Sequence, residues 1–164
     1  MKLRPLEEKD AERMLGWMKD ERVNRYFQFD PEAVSIDTVN AFIANSRSDG
    51  NAVHFAVAGD DDRYLGTISL KNINPMAKNA EYAIALRYDS QGLGAGRFAT
   101  AEILKYAFTV LKLESVYLNV FSDNERAISL YRKCGFVFEG EFHKHIYKDG
   151  EFKNLMWFRA MRQT

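Results

Sequence analysis

The stretch YDSQGLGAGR, residues 88–97, carries glycine at every second position, at Gly92, Gly94 and Gly96. An apolar segment precedes this stretch, and a segment with helical apolar spacing follows it. Glycine loses more backbone freedom on folding than any other residue, so glycines this close together need a structural or functional reason. The pattern predicts a tight turn from a strand into a helix. Such a turn is either a plain connection or a cradle for a phosphate group.

A glycine-rich turn at the start of a helix can bind an anion because its backbone N–H groups have no partner within the helix. Three classes of phosphate ligand compete for this turn. A Walker loop is excluded because the stretch lacks the closing Gly-Lys-Ser/Thr. A dinucleotide fingerprint is disfavoured by the G-x-G-x-G spacing, although Asp123 is placed where the ribose-binding acid would stand. Coenzyme A is the third class.

The composition of the chain narrows the class of protein. Its 164 residues suggest one domain, residues 1–164, and its 23 basic residues balance its 23 acidic ones. A net charge of zero argues against a general polyanion binder, so we expect no nucleic-acid partner. The single cysteine, Cys134, fits a reducing compartment, and no apolar run reaches the length of about 18 residues that a membrane span needs. We therefore expect a soluble, cytoplasmic protein.

Outward from the glycines, the apolar periodicity predicts an α+β (mixed α/β) fold with a mixed sheet. In the strand before the glycines, the even-numbered residues from Tyr82 to Leu86 share one face and the odd-numbered residues from Glu81 to Ala85 share the other. Alternation and turn signals predict strands at residues 2–6, 54–59, 64–73, 80–88, 116–121 and 136–142, and a closing hairpin at 145–161 that turns at Asp149-Gly150.

Capping residues mark the predicted helices. Asp10 and Asp37 are expected to cap two early helices, and Ser122 with Glu125 forms a possible capping box for a later one that ends at Gly135. Residues 21–36 are ambiguous and suggest a short helix followed by a loop. A strand–helix–strand crossover is expected around the glycines, because neighbouring parallel strands need such a connection.

Two motifs that bracket one predicted strand resemble those of the GNAT superfamily of acetyl-CoA-dependent N-acetyltransferases. QGLGAG, residues 91–96, is similar to the family's Q/R-x-x-G-x-G/A loop. NERAISLYRKCGF, residues 124–136, is similar to its N-x-x-A-x-x-x-Y-x-x-x-G-F helix. The first 14 residues and residues 147–161 also resemble the RimJ/RimL and spermidine acetyltransferase branches. The resemblance covers nearly the whole chain, and residues 21–50 match it least.

The resemblance implies a GNAT-like fold: a central, mostly antiparallel mixed sheet of about seven strands flanked by helices, with a splayed parallel strand pair at the cofactor site. It also implies that acetyl-CoA binds as a co-substrate, largely through main-chain groups. The cofactor-binding residues that it implies are Ile84, Ala85, Leu86, Gln91, Gly92, Leu93, Gly94, Ala95, Gly96, Arg97, Asn124 and Tyr131.

The same resemblance implies catalytic roles for three residues. The backbone N–H of Leu86 is the expected oxyanion donor, within one or two positions, and the Tyr131 hydroxyl is the expected acid for the leaving thiolate. Glu81 is the candidate base for the amine, and a water chain is the alternative. Without the resemblance, Tyr131 is better explained as a core aromatic residue, and Glu81 is equally well explained as a charge at the sheet edge or part of a salt bridge.

The acceptor is the least determined part of the prediction. Tyr26, Phe29 and Asn119 are the candidate substrate-binding residues. Few carboxylates lie near residues 21–36, which weakens a polyamine acceptor, whereas arginines with aromatics suit an amino-sugar nucleotide. A protein N-terminus and a non-catalytic acyl-CoA sensor are the alternatives. A homodimer is a further expectation from the resemblance. His143 and His145 lack a third ligand, so no metal site is predicted.

Overall fold

The computed structural model describes residues 1–164 and contains one sheet of seven strands in the order β1-β2-β3-β4-β5-β7-β6. The strands are β1 Lys2–Pro5, β2 Val53–Ala58, β3 Tyr64–Asn74, β4 Asn79–Leu86, β5 Ser115–Phe121, β6 Val137–Lys148 and β7 Glu151–Met161. The helices are α1 Ala11–Met18, α2 Glu21–Asn24, α3 Ile36–Asn45, α4 Ala95–Thr109 and α5 Glu125–Lys133. Single 3₁₀ turns occupy Glu8–Asp10, Pro31–Ala33 and Tyr88–Ser90.

The sheet separates two hydrophobic cores, and β4 contributes to both. Tyr82 packs into the core on the face that α4 and α5 cover, called here the α4–α5 face. Ala85 packs into the core on the opposite face, called here the α1–α3 face after the helices that cover it. This division confirms the predicted alternation, because a strand that is covered on both sides must be apolar in both registers.

The only parallel strand pair is β4 with β5, and it is short. Its register covers Asn79 with Ser115, Ala80 with Val116 and Glu81 with Tyr117, and it ends there. β4 continues to Leu86 along β3, and β5 continues to Phe121 along β7. Between these two continuations the sheet therefore opens into a gap, which we call the β4–β5 gap. The seven-stranded mixed sheet with one splayed parallel pair confirms the predicted fold class.

Three predicted caps are wrong. The side chain of Asp10 does not cap α1. It is buried and binds the Arg4 guanidinium, with distances of 2.8 and 2.9 Å to its two oxygens. Ser35, rather than Asp37, caps α3, and Asn124, rather than Ser122, caps α5 by accepting from the N–H of Ala127 at 3.4 Å. Each true cap lies where the chain is still non-helical, so its oxygen can reach back to the first free amides.

The predicted turns, unlike the predicted caps, agree with the structure because a turn depends on the backbone geometry of neighbouring residues. Asp149 and Gly150 both have positive φ, 52° and 80°, as a two-residue hairpin turn requires. Gly135 ends α5 with a φ of 94°. The short helix and turn at residues 21–33 match the expected pattern for the ambiguous segment. No helix has the length and apolar character needed to cross a bilayer.

Candidate active site

The β4–β5 gap exposes main-chain groups that have no strand partner. Arg87 N donates to Leu65 O on β3 at 2.9 Å, so alternation along β4 directs the backbone groups of Leu86 and Ile84 away from β3 and into the gap. The Leu86 carbonyl accepts from Gln91 Nε2 at 3.4 Å, which ties the gap to the glycine turn. Ala85, also predicted to bind the cofactor, instead directs its backbone toward β3.

The glycine turn lies at the mouth of the gap and opens α4. Gly92 and Gly94 have φ values of 77° and 84°, and Gly94 is the N-cap of α4. The first helical hydrogen bond runs from Phe98 N to Gly94 O at 3.0 Å, and the amides from Gly92 to Arg97 find no acceptor in the chain. No acidic side chain occupies the first turn of α4. These free amides at a helix N-terminus fit a phosphate group.

Helix α5 lies against the glycine turn at two of its glycines. A Cβ atom on Gly96 would lie 3.0 Å from Leu130 Cδ2, and a Cβ atom on Gly92 would lie 3.0 Å from Arg126 Nη2. Packing therefore explains Gly96, whereas Gly92 and Gly94 are required by their positive φ, and Gly94 has open space around it. Sequence reasoning missed Arg126. Gly92 and Gly96 are four residues apart, as are Arg126 and Leu130, and this matched spacing is the signal in the sequence that could have indicated the contact.

Two further predicted cofactor residues lie near the turn. Asn124 begins α5, and its side-chain oxygen is used as the cap. Arg97 is exposed on α4, and its charge partly offsets the burial that raises the pKa of Cys134. Leu93 is largely exposed, and Ala95 is buried beneath the turn.

Tyr131 is buried on the α4–α5 face. Its ring packs edge-on against Tyr82 with centroids 5.6 Å apart, and against Phe136 at 5.9 Å. Burial raises the pKa of Tyr131 well above its ordinary value, and no group of the chain accepts a hydrogen bond from its hydroxyl. The side chain is therefore both a core aromatic residue and a protonated donor at neutral pH. The two alternatives left by the sequence are compatible.

Glu81 lies on the other face, where β4 and β5 separate. Asn119 Nδ2 donates to Glu81 Oε1 at 3.1 Å, and Lys71 Nζ on β3 lies 3.1 Å from Glu81 Oε2. The carboxylate is mostly buried, with 16% of the side chain exposed. Burial of Tyr117 raises the pKa of that hydroxyl, and the adjacent Glu81 charge raises it further. Both oxygens of the candidate base are thus held in place by neighbouring strands.

Trp157 is a second residue that sequence reasoning missed at this position. It lies opposite Asn119 in the register of β5 with β7. Its indole N–H is buried and has no acceptor within the chain. A buried donor without a partner is uncommon in folded proteins. The α1–α3 face therefore offers one free donor beside the Glu81–Asn119 pair.

The segment around α2 forms one side of the entrance to the gap. The Arg22 guanidinium stacks over the Tyr88 ring at 3.9 Å, just after β4, and Lys148 Nζ on the closing hairpin binds the carbonyls of Asn24 and Phe27. The segment thus contacts both the residues that follow β4 and the closing hairpin. A cleft of about 350 Å³ lies here, lined by Glu21, Arg22, Arg25 and Asp149.

The three predicted substrate residues differ in what they contact. Phe29 packs into an aromatic cluster, 5.9 Å from Trp17 and 6.1 Å from Phe27 between ring centroids, so its contacts in the structure are those of a supporting residue. Tyr26 is half-buried, and its hydroxyl accepts from Arg25 Nη2 at 3.0 Å. Asn119 is the one predicted substrate residue that contacts Glu81.

Comparison with known proteins identifies relatives of this arrangement. The sequence profile of the acetyltransferase (GNAT) domain family matches residues 1–137. Spermidine N(1)-acetyltransferase of Escherichia coli K12 is 32% identical over 156 residues, which cover 95% of this chain and 83% of the relative. The putative ribosomal N-acetyltransferase YdaF of Bacillus subtilis is 26% identical over 98% of this chain and 91% of its own length.

A solved structure shows the same fold with ligands bound. Spermidine N-acetyltransferase from Vibrio cholerae, in complex with CoA and spermine, superposes with a TM-score of 0.90 at 27% identity. The match covers 98% of this chain and 94% of that one. The likeness therefore extends over both the glycine turn and the closing hairpin.

Proposed function

The chain belongs to the GNAT family of acetyltransferases and uses acetyl-CoA to acetylate an amine; we propose that the amine enters the β4–β5 gap from the α1–α3 face. The observation that carries this proposal is the gap itself, which lies beside the free amides from Gly92 to Arg97. One end of the site suits a pyrophosphate, and the other end offers strand edges that can pair with the amides of a pantetheine arm.

Leu86 and Tyr131 are the residues proposed to assist departure of the thiol. The Leu86 N–H would donate to the oxygen that gains charge as the amine nitrogen attacks the thioester carbonyl, an effect typically worth about 10²–10³ in rate. Tyr131 would give its hydroxyl proton to the sulfur as the C–S bond breaks, and water would return a proton to it. The raised pKa keeps the hydroxyl protonated at neutral pH and also makes it a weaker acid, so the proposed transfer depends on the negative charge that develops on the sulfur.

Glu81 is proposed to receive a proton from the amine, directly or through a water held with Asn119. An alkyl ammonium has a pKa of about 10, so it must lose a proton before it can attack at neutral pH. Glu81 and Tyr131 lie on opposite faces of the sheet. This placement supports a reaction in which the amine approaches from one face and the thiolate is protonated on the other.

The acceptor that we propose is a small primary amine, either a polyamine or an amino-sugar nucleotide. The spermidine acetyltransferases among the relatives support the polyamine. Glu21 and Asp149 in the entrance cleft make no ion pair within the chain and can bind a distant ammonium group. Arg25 in the same cleft also lacks a carboxylate partner, and with Tyr26 it suits the phosphates of a sugar nucleotide.

A release assay for free thiol, with acetyl-CoA and a panel of amines, tests the proposal. Turnover with spermidine, spermine or an amino-sugar nucleotide is the expected result. Turnover only with peptides would redirect the function to protein N-termini, which the likeness to a putative ribosomal acetyltransferase keeps in the panel. Binding of CoA without turnover on any amine would indicate a non-catalytic acyl-CoA sensor. Absence of CoA binding would contradict the whole proposal.

We also propose that the chain forms a homodimer through the edge of the sheet at β6. Strand β6 has only one neighbour, and the hairpin that it forms with β7 exposes large side chains, including Phe138, Phe142, Tyr147 and Phe152. Exposed apolar groups on an edge strand favour association. The mass in solution, measured by light scattering, tests this. The single cysteine supports a reducing compartment, so we place the reaction in the cytoplasm.

A further inference from the structure

Arg126 is an unpaired cation in direct contact with the glycine turn. A Cβ atom on Gly92 would lie 3.0 Å from Arg126 Nη2, so the guanidinium rests on the main chain of the turn. Several other arginines are neutralised by carboxylates, namely Arg4, Arg22, Arg87, Arg159 and Arg162. Arg126 has no such partner and is exposed on the first turn of α5.

The packing of α5 fixes where this charge lies. Leu130, one turn after Arg126, packs on Gly96, and Arg126 packs on Gly92. Helix α5 therefore lies against the turn at these two positions, and the Arg126 guanidinium lies next to the free amides that begin at Gly92. Arg97, the arginine that the sequence pattern favours, is also exposed and lies on the first turn of α4.

We propose that Arg126 binds the pyrophosphate of coenzyme A together with the free amides of the glycine turn. This inference rests on the proposed function, which requires a CoA thioester in the β4–β5 gap. The planar guanidinium of arginine can donate two parallel N–H groups to one phosphate. Main-chain amides alone recognise the shape of an anion, whereas a nearby guanidinium adds a full charge to the site. Arg126 is thus a cofactor-positioning residue on the same helix as Tyr131.

Calorimetric titration of the purified protein with CoA and with 3′-dephospho-CoA tests this assignment. We expect Arg126→Gln to weaken binding of both ligands by about ten- to a hundredfold, the loss typical of a hydrogen bond to a charged group. Lys133→Gln, which removes an exposed charge from the last turn of the same helix, should bind both ligands as the wild type does. Arg126→Lys should recover part of the lost affinity, and the melting temperatures should agree.

Three results would overturn the assignment. Wild-type affinity in Arg126→Gln would remove the residue from the site. A loss that appears with CoA but not with 3′-dephospho-CoA would move Arg126 to the 3′-phosphate. A loss in Arg97→Gln without one in Arg126→Gln would return the role to Arg97. If the wild-type protein binds neither ligand, the proposed function fails as well, so the wild-type titration separates the two failures.

Discussion

Asn119 Nδ2 lies 3.1 Å from Glu81 Oε1, across the point at which β4 and β5 separate. This bond joins Glu81, the last paired residue of β4, to Asn119 on β5, which lies two residues beyond the last paired residue Tyr117. Lys71 holds the second carboxylate oxygen from β3. The candidate base is therefore fixed by three strands at the closed end of the gap, and its removal should affect chemistry more than cofactor binding.

We expect Glu81→Gln to lower kcat/KM for the amine by about a hundredfold or more near pH 7, in the range usual for loss of a general base. The deficit should shrink as the pH approaches about 10, where the amine is already neutral. Steady-state kinetics across pH 6–10 measure both effects. Glu102→Gln, at an exposed position on α4, is the matched control. A Glu81→Gln enzyme with wild-type kinetics at pH 7 would leave deprotonation to a water chain.

We expect Tyr131→Phe to lower kcat by about tenfold or more while the Kd for acetyl-CoA changes little, because the ring that packs on Tyr82 and Phe136 is retained. Stopped-flow turnover and calorimetry separate the two quantities. Tyr106→Phe removes a hydroxyl from the same side of the sheet and should keep the wild-type kcat. Equal turnover in Tyr131→Phe and wild type would leave the residue with a packing role only.

We expect the free energy of unfolding to fall as the pH rises above about 10, the ordinary pKa of tyrosine. Burial raises the pKa of Tyr64, Tyr82 and Tyr131 in the folded state. Above about pH 10 the unfolded chain therefore releases protons that the folded chain keeps. Each pH unit then costs up to about 1.4 kcal/mol per tyrosine. Urea unfolding at pH 8 and pH 11 measures the fall.

The dependence on pH should be shallower in Tyr131→Phe, which removes one of these groups. Tyr147→Phe, which removes a hydroxyl from a side chain that is 66% exposed, should keep the wild-type dependence. Parallel curves for Tyr131→Phe and wild type would mean that the Tyr131 hydroxyl ionises as easily in the fold as outside it.

We expect Gly66→Ala to destabilise the protein by about 1–3 kcal/mol and to lower activity further, because the added methyl group collides with β4. A Cβ atom at this position would lie 2.4 Å from Ala85 O and 2.9 Å from Leu86 Cα, both main-chain atoms. The strand would have to move at the proposed oxyanion donor. Gly140→Ala, where no atom lies within 4 Å, is the control for thermal unfolding and kcat. Two variants of equal stability and activity would contradict the expected collision.

The parts of the fold that could be predicted from the sequence rest on local signals. The alternation in β4, the turn at Asp149-Gly150 and the glycine at the end of α5 follow from strand period and positive φ, which neighbouring residues determine. The caps at Asp10, Asp37 and Ser122 were wrong because several polar residues stand near each helix start. Only the path of the backbone decides which of them reaches the free amides.

The parts of the site that escaped prediction depend on distant contacts. Lys71 reaches Glu81 because β3 and β4 pair in one register, and that register is a property of the sheet. Arg126 reaches Gly92 because α5 packs against the glycine turn, a contact between segments about 30 residues apart in the sequence. The contact of Phe29 with Trp17 escaped prediction because it joins two separate segments of the chain, and the substrate role of Phe29 stays a prediction.

Because Glu81 and Tyr131 lie on opposite faces, the sheet separates the two halves of the proposed chemistry, and the β4–β5 gap connects them. In the proposed reaction the amine binds and loses its proton on the α1–α3 face, and the thiolate receives its proton on the α4–α5 face. In the proposed reaction the amine and the thioester reach the β4–β5 gap from opposite faces, so neither should block the binding of the other. Substitutions on the α1–α3 face should accordingly change which amine is accepted while the glycine turn still binds the cofactor.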